Sequence, residues 1–140
     1  MMLYLDNAAT TLKKPLSVYA TLFKSTLFSG GNAGRGGHKM SMDAVRAIVD
    51  TQDLIAQLFN IKKAENIVFT QNATYALNTA ILGTMSNGGH IVVTEMDHNS
   101  VLRPACLPGN YTVVKADKSG YVHAEDVEKA VWKDTKLIVC

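Results

Sequence analysis

Residues 66–100 read NIVFTQNATYALNTAILGTMSNGGHIVVTEMDHNS, and the fold class follows from how apolar and polar residues alternate in this stretch. The apolar run at 67–70 predicts a strand, the small polar turn after it opens a helix over 74–83, and a second apolar run predicts a strand at 90–94. This is the βαβ order, in which a helix carries the chain between parallel strands. A second round follows: a strand at 111–114, a helix at 123–132 with Val127, Ala130 and Val131 on one face, and a strand at 137–139. The strands are unbroken apolar runs rather than alternating ones. That pattern predicts a parallel sheet covered on both faces.

Upstream the pattern differs. Leu3, Tyr4 and Leu5 predict a short strand at 3–5, followed by the small polar loop Asp6-Asn7-Ala8-Ala9-Thr10-Thr11, which favours turns over core packing. Pro15 suits the first turn of a helix whose Leu16, Tyr19, Ala20, Phe23 and Leu27 recur at helical spacing and which ends by Gly30-Gly31. Five glycines in residues 30–38 predict the most flexible stretch of the chain. Ser41 reads as the N-cap of a helix with Val45, Ile48, Val49, Ile55, Ala56 and Phe59 on one stripe, closed by Asn60. There is no internal repeat, low-complexity tract or linker. The last residue, Cys140, falls at the edge of a predicted buried strand, so a longer parent protein is expected.

Hydrophobic residues make up 47% and charged residues 19% of the chain, which excludes a disordered polyelectrolyte and predicts a packed core. The formal charge of +2 is dispersed, with no like-charge run longer than Lys13-Lys14 or Lys62-Lys63, so neither a nucleic acid nor a membrane surface is called for. The first residues have neither the basic start nor the long apolar segment of a signal peptide, and a cytoplasmic location is the default expectation. Cys106 and Cys140 lack metal or redox spacing and read as reduced packing thiols.

Three stretches could carry chemistry. In open parallel sheets, ligands bind beyond the carboxyl ends of the strands, where helix N-termini offer free N–H groups and the positive end of the helix dipole. At Thr70-Gln71-Asn72-Ala73-Thr74 a small side chain at Ala73 lets an anion reach backbone amides, and the Thr74 hydroxyl can donate another hydrogen bond. Plain helix capping accounts for the same residues equally well. After the 90–94 strand, His98 can face the crevice with a flat ring and a pKa range suited to proton transfer, or simply cap a turn. Arg35 and His38 in the glycine loop can meet an anionic group, or the loop can be a connector. The loop is neither a P-loop nor a Rossmann glycine motif.

Together, and in this order, these stretches resemble the class V aminotransferases, in particular their cysteine desulfurase-like members. Residues 4–11 (Tyr4-Leu5-Asp6-Asn7-Ala8-Ala9-Thr10-Thr11) are similar to the opening of that family. Asn32-Ala33-Gly34-Arg35-Gly36-Gly37-His38 is similar to the Asn-Pro-Gly-Arg-x-Gly-His stretch of one branch, with Ala33 in place of the proline. The segments 69–78 and 95–104 fall where the family has its phosphate turn and its cofactor-stacking histidine.

The resemblance implies an α/β fold: an incomplete αβα sandwich of the aspartate aminotransferase-like large domain, with a mostly parallel sheet. Residues 1–20 would form an N-terminal arm or small-domain segment and residues 21–140 the first part of the domain that binds pyridoxal 5'-phosphate (PLP). It implies that Asn72, Ala73 (through its backbone) and Thr74 hold the PLP phosphate and that His98 stacks on the ring and assists proton transfer as the catalytic residue. Asn7 and Ala8 would lie near the substrate, and Arg35 and His38 near the active site across a dimer interface. It further implies L-cysteine or a related amino acid as substrate, alanine and an enzyme-bound persulfide as products, a possible sulfur-acceptor protein in iron–sulfur cluster assembly, and a homodimer.

The family's cofactor-binding lysine, its pyridine-pairing aspartate and its sulfur-accepting cysteine match nothing in residues 1–140, so this chain by itself is expected to be inactive. Lys39 follows a histidine, as the family lysine does, but comes too early and lacks the Gly-Pro that follows; Cys106 likewise precedes the region of the catalytic cysteine. Selenocysteine lyase, another class V activity, or a non-enzymatic phosphate-binding α/β module are the alternative expectations.

Overall fold

The computed structural model describes residues 3–34 and 36–140. Its elements run α1 (Leu16–Phe28), α2 (Lys39–Leu58), a 3-10 turn at Ala64–Asn66, α3 (Ala73–Thr84), β1 (His90–Thr94), α4 (Asn99–Cys106), β2 (Tyr111–Val114), α5 (Ala124–Lys129) and β3 (Thr135–Ile138). Their contacts form two compact units that divide between Val68 and Phe69.

In the first unit α1 begins directly after Pro15, as its fixed φ and missing N–H favour. None of its residues is buried, and Leu16, Leu22, Phe23 and Phe28 are exposed. The cap of α2 is His38, not Ser41: the His38 backbone is extended (φ −86°, ψ 162°) and its Nδ1 accepts from the Ser41 amide at 3.4 Å. Ser41 instead lies buried inside the first turn and donates its hydroxyl to the Asn32 carbonyl at 2.7 Å. At the far end Asn60 adopts a left-handed φ of 53°, which a short polar side chain tolerates, and closes the helix as expected.

The glycine loop is packed rather than loose where it meets α2. A Cβ on Gly31 would overlap the Met40 carbonyl, and one on Gly36 would sit 2.8 Å from Ser41 Cβ. These two glycines are required by close approach of the loop to the first turn of α2, which corrects the reading of this stretch as a flexible connector. The expected strands at 3–5 and 67–70 are also corrected. Ile67 is extended (φ −93°, ψ 118°), but neither segment joins a ladder among the described residues. Apolar sequence makes a strand only where a neighbour supplies backbone partners; Leu3, Leu5 and Val68 remain exposed.

The second unit holds the three-stranded parallel sheet, in the order β2-β1-β3. The expected strands at 90–94 and 111–114 form with those bounds, and the third begins two residues earlier than the 137–139 run suggests. Ile91 and Val93 of β1, Ile81 of α3, Met85 just after that helix, and Val101 and Ala105 of α4 make the apolar core. Every residue of β1 is buried, whereas β3 alternates between half-buried and exposed positions and β2 runs from exposed Tyr111 to buried Val114. Continuous burial thus holds for the central strand alone.

Two helices differ from expectation. The helix expected at 123–132 is only Ala124–Lys129, because the chain turns at Trp132, whose amide is taken by Thr135 Oγ1 at 2.7 Å. α4 was not legible as a helix, since Pro104 lies inside it. No helix among the described residues is long and apolar enough to cross a membrane.

Candidate functional site

The connection from β1 leads to β2 on one side, and the connection from β2 passes over β1 to reach β3 on the other. β1 therefore stands at a topological switch point, where the crevice beyond the strand ends is open to ligands. Its carboxyl end leads through Glu95, Met96 and Asp97 to His98, the residue before α4.

That short loop is tightly tied. Asp97 Oδ2 accepts from the Thr94 amide at 2.7 Å and the Thr94 hydroxyl at 3.0 Å, while the Asp97 amide donates to the Thr94 carbonyl at 3.2 Å. Glu95 joins the ends of β1 and β2, accepting from the Ala116 amide at 2.9 Å and meeting Lys115 Nζ at 3.0 Å. The Lys115 ammonium, then the Ala116 amide, hold the Glu95 carboxyl below the usual carboxylate range. Both acids thus shape the loop.

His98 caps α4. Its Nδ1 accepts from the Ser100 amide at 3.1 Å and lies 2.9 Å from the Ser100 hydroxyl. A nitrogen accepting from an amide carries no proton, so the neutral ring bears its hydrogen on Nε2. His98 is exposed, and among the described residues its hydrogen bonds are all made through Nδ1.

At the start of α3, Asn72 is the cap, and its Oδ1 accepts from the Tyr75 amide at 2.9 Å. Thr70 Oγ1 donates to the Asn72 carbonyl at 2.9 Å and sets the turn before it. The first amides of a helix have no partner within it. The Asn72 cap uses the Tyr75 amide and leaves those of Ala73 and Thr74 pointing out of the helix start, with Thr74 exposed.

These two helix starts meet in one cleft of about 400 Å³, lined by Thr74, Asn78, His98, Asn99, Ser100, Arg103 and Pro104. Of the residues singled out from sequence, Thr74 and His98 line it together, with Asn72 and Ala73 beside Thr74 in the same turn. A helix-end anion site and a flat proton-carrying ring on one cleft suit a ligand with a phosphate and a planar portion. Asn78, Ser100 and Arg103 were not singled out. The spacing of Thr74 and Asn78, four apart and so on one face of α3, was the available signal for Asn78.

The other proposed contacts belong to the first unit. Asn7 closes a turn, donating from Nδ2 to the Tyr4 carbonyl at 3.3 Å and accepting from the Leu12 amide at 3.4 Å; Ala8 follows, exposed. His38 is occupied in capping α2. Arg35 lies outside the described residues.

Residues 3–140 match the family model for aminotransferase class-V. The chain belongs to that family. It is 34% identical to a probable cysteine desulfurase of Aeropyrum pernix, over 96% of this chain and 34% of the relative. It is 33% identical to the cysteine desulfurase IscS of Dictyoglomus turgidum, over 96% of this chain and 36% of that protein. Among solved structures, SspA in complex with cysteine superposes with a TM-score of 0.78 at 25% identity, covering 94% of this chain and 39% of that one. DndA from Streptomyces lividans gives 0.74 at 25% identity, covering 97% and 40%. A NifS-like protein at 24% identity and a TM-score of 0.80, over 94% of this chain and 37% of that one, shares the fold. The chain spans about a third of the length of the curated relatives it matches.

Proposed function

We propose that this chain is the N-terminal part of a PLP-dependent cysteine desulfurase, an enzyme that converts L-cysteine to alanine and passes the sulfur to an enzyme cysteine as a persulfide. The observation that carries the reading is the cleft shared by Thr74 and His98. Its residues fit PLP: outward amides and a hydroxyl at the start of α3 suit the phosphate dianion, and the small Ala73 gives it room to approach. The relatives named cysteine desulfurase, and the likeness to SspA in complex with cysteine, support cysteine as the substrate.

When bound, PLP supplies an electron-withdrawing ring that eases bond breaking at the substrate's α-carbon. The residues of this chain bind and orient. Asn72 fixes the α3 turn, the Ala73 and Thr74 amides with the Thr74 hydroxyl hold the phosphate, and His98 covers the ring face. With Nδ1 committed to Ser100, His98 exchanges protons through Nε2. Asn7, Ala8, Arg35 and His38 serve the substrate side in this reading, with Arg35 and His38 reaching a partner's site in a homodimer. Residues 1–20 act as the arm and 21–140 as the start of the cofactor domain. A cytoplasmic location and a sulfur-acceptor protein complete it.

The test compares this chain with the protein made from its whole reading frame, incubating each with PLP, L-cysteine and a thiol reductant that releases the persulfide sulfur as sulfide, and measuring sulfide and alanine. Equal sulfide and alanine from the longer protein, and neither from residues 1–140 alone, is the expected result. Activity on selenocysteine or a keto acid instead would assign another class V reaction. A reading frame that stops at codon 140, with phosphate binding and no turnover, would favour a binding module.

A further inference from the structure

Pro104 is the sixth residue of α4, and a proline there has no N–H to give to the carbonyl four residues back, which is that of Ser100. That carbonyl has another donor. Asn78 Nδ2, on α3, reaches Ser100 O at 3.4 Å and the Thr74 carbonyl at 2.8 Å. All three residues line the cleft, but Ser100 and Pro104 are buried and Asn78 is half-buried, so the link lies in the cleft's inner wall. Its two ends are consequential. Thr74 belongs to the phosphate turn, and Ser100 is the residue whose amide holds His98 Nδ1.

We propose that Asn78 is a positioning residue: through the Ser100 carbonyl that Pro104 leaves open, it fixes the distance between the phosphate turn of α3 and the ring of His98. This rests on the cofactor reading above. The consequence is specific to ligands that engage both helix starts. Such a ligand gains from two sites held at the right separation, whereas a small anion needs only one.

The experiment uses this chain and three variants, Asn78→Ala, Pro104→Ala and the double variant. Affinity for PLP and, separately, for inorganic phosphate is measured by 31P NMR, and the His98 ring nitrogens and Ser100 amide are followed by 15N NMR without ligand. Asn78→Ala should weaken PLP about tenfold, while phosphate changes less than twofold. It should also shift the His98 and Ser100 signals. Pro104→Ala restores an N–H for Ser100 O, so adding it to Asn78→Ala should return those signals and most of the PLP affinity.

Equal losses for PLP and phosphate, or unmoved His98 and Ser100 signals in Asn78→Ala, would overturn the proposal. So would a double variant no better than Asn78→Ala alone. The cofactor reading fails separately, if the protein made from the whole reading frame does not bind PLP, and the ligand-free spectra of this chain would still decide whether Asn78 orients His98. Should Asn78→Ala not fold, Asn78→Asp keeps the size but lacks the donor, and the same signals decide.

Discussion

His90 and Trp132 stack face to face in the second unit, with ring centroids 4.0 Å apart and planes 8° from parallel. The same imidazole, fully buried at the start of β1, spans the sheet: Nδ1 lies 2.8 Å from the Thr135 hydroxyl on β3 and Nε2 lies 2.9 Å from the Thr112 hydroxyl on β2. One ring therefore ties all three strands at the end opposite the cleft. Replacing it by alanine removes the stack, opens a cavity and takes the ring bond from both hydroxyls, leaving Thr135 with only the Trp132 amide. His90→Ala should destabilise the fold by about 3 kcal/mol, read as a lower midpoint in urea unfolding. A loss under about 1 kcal/mol would mean that the strands are held without this bridge.

His98 caps α4 and, in the proposed function, also faces the cofactor ring, and the two duties can be separated. Asparagine is a good cap with an acceptor of its own but no aromatic face. His98→Ala should cost about 1 kcal/mol of stability and abolish the ring contact. His98→Asn should recover most of the stability while PLP binding stays as weak as in His98→Ala, measured by urea unfolding and by cofactor absorbance. Recovery of binding by asparagine would show that the cap, not the ring, is what the cofactor needs.

The second unit was largely legible because its central strand and its two flanks are marked by apolar runs, and burial of His90–Thr94 is continuous. The strand ends carried the candidate site for the same reason: in a parallel sheet the polar turn after a buried strand has few places to go but the open crevice. What was not legible depended on partners distant in sequence. Nothing local to residues 67–70 says that no neighbouring strand pairs with them, and Pro104 in a sequence pattern argues against the helix that α3 and the sheet nevertheless stabilise. Asn78 escaped notice because its role is to answer a carbonyl 22 positions away. His38 took the cap expected of Ser41 because the buried Ser41 hydroxyl is drawn to Asn32.

Gly31 tests whether the loop before α2 is packed. A Cβ there would overlap the Met40 backbone, which cannot swing away as a long side chain could. Gly31→Ala should destabilise the first unit by about 1–3 kcal/mol, as other overpacking changes do, and raise amide exchange at the start of α2. Gly37→Ala is the control, since its Cβ would meet nothing within 4 Å. Equal behaviour of the two variants would restore the connector reading.

Asp117 supplies an acid limit in the turn before α5. The Ser119 hydroxyl first, then the Tyr121 and Ser119 amides and His123, all favour the ionised carboxylate and lower its pKa from 3.8 to about 2. Because the folded value lies below the unfolded one, the carboxylate's contribution is complete above pH 3.8 and disappears as the pH falls towards 2. The Ser119 and Tyr121 amide signals should therefore move together with a midpoint near pH 2, and the turn should loosen over that interval. In Asp117→Asn the signals should be flat with pH, because the amide oxygen accepts without titrating. A midpoint near the ordinary carboxylate value in the unsubstituted chain would show that the Ser119 and Tyr121 donors do not hold the carboxylate in solution.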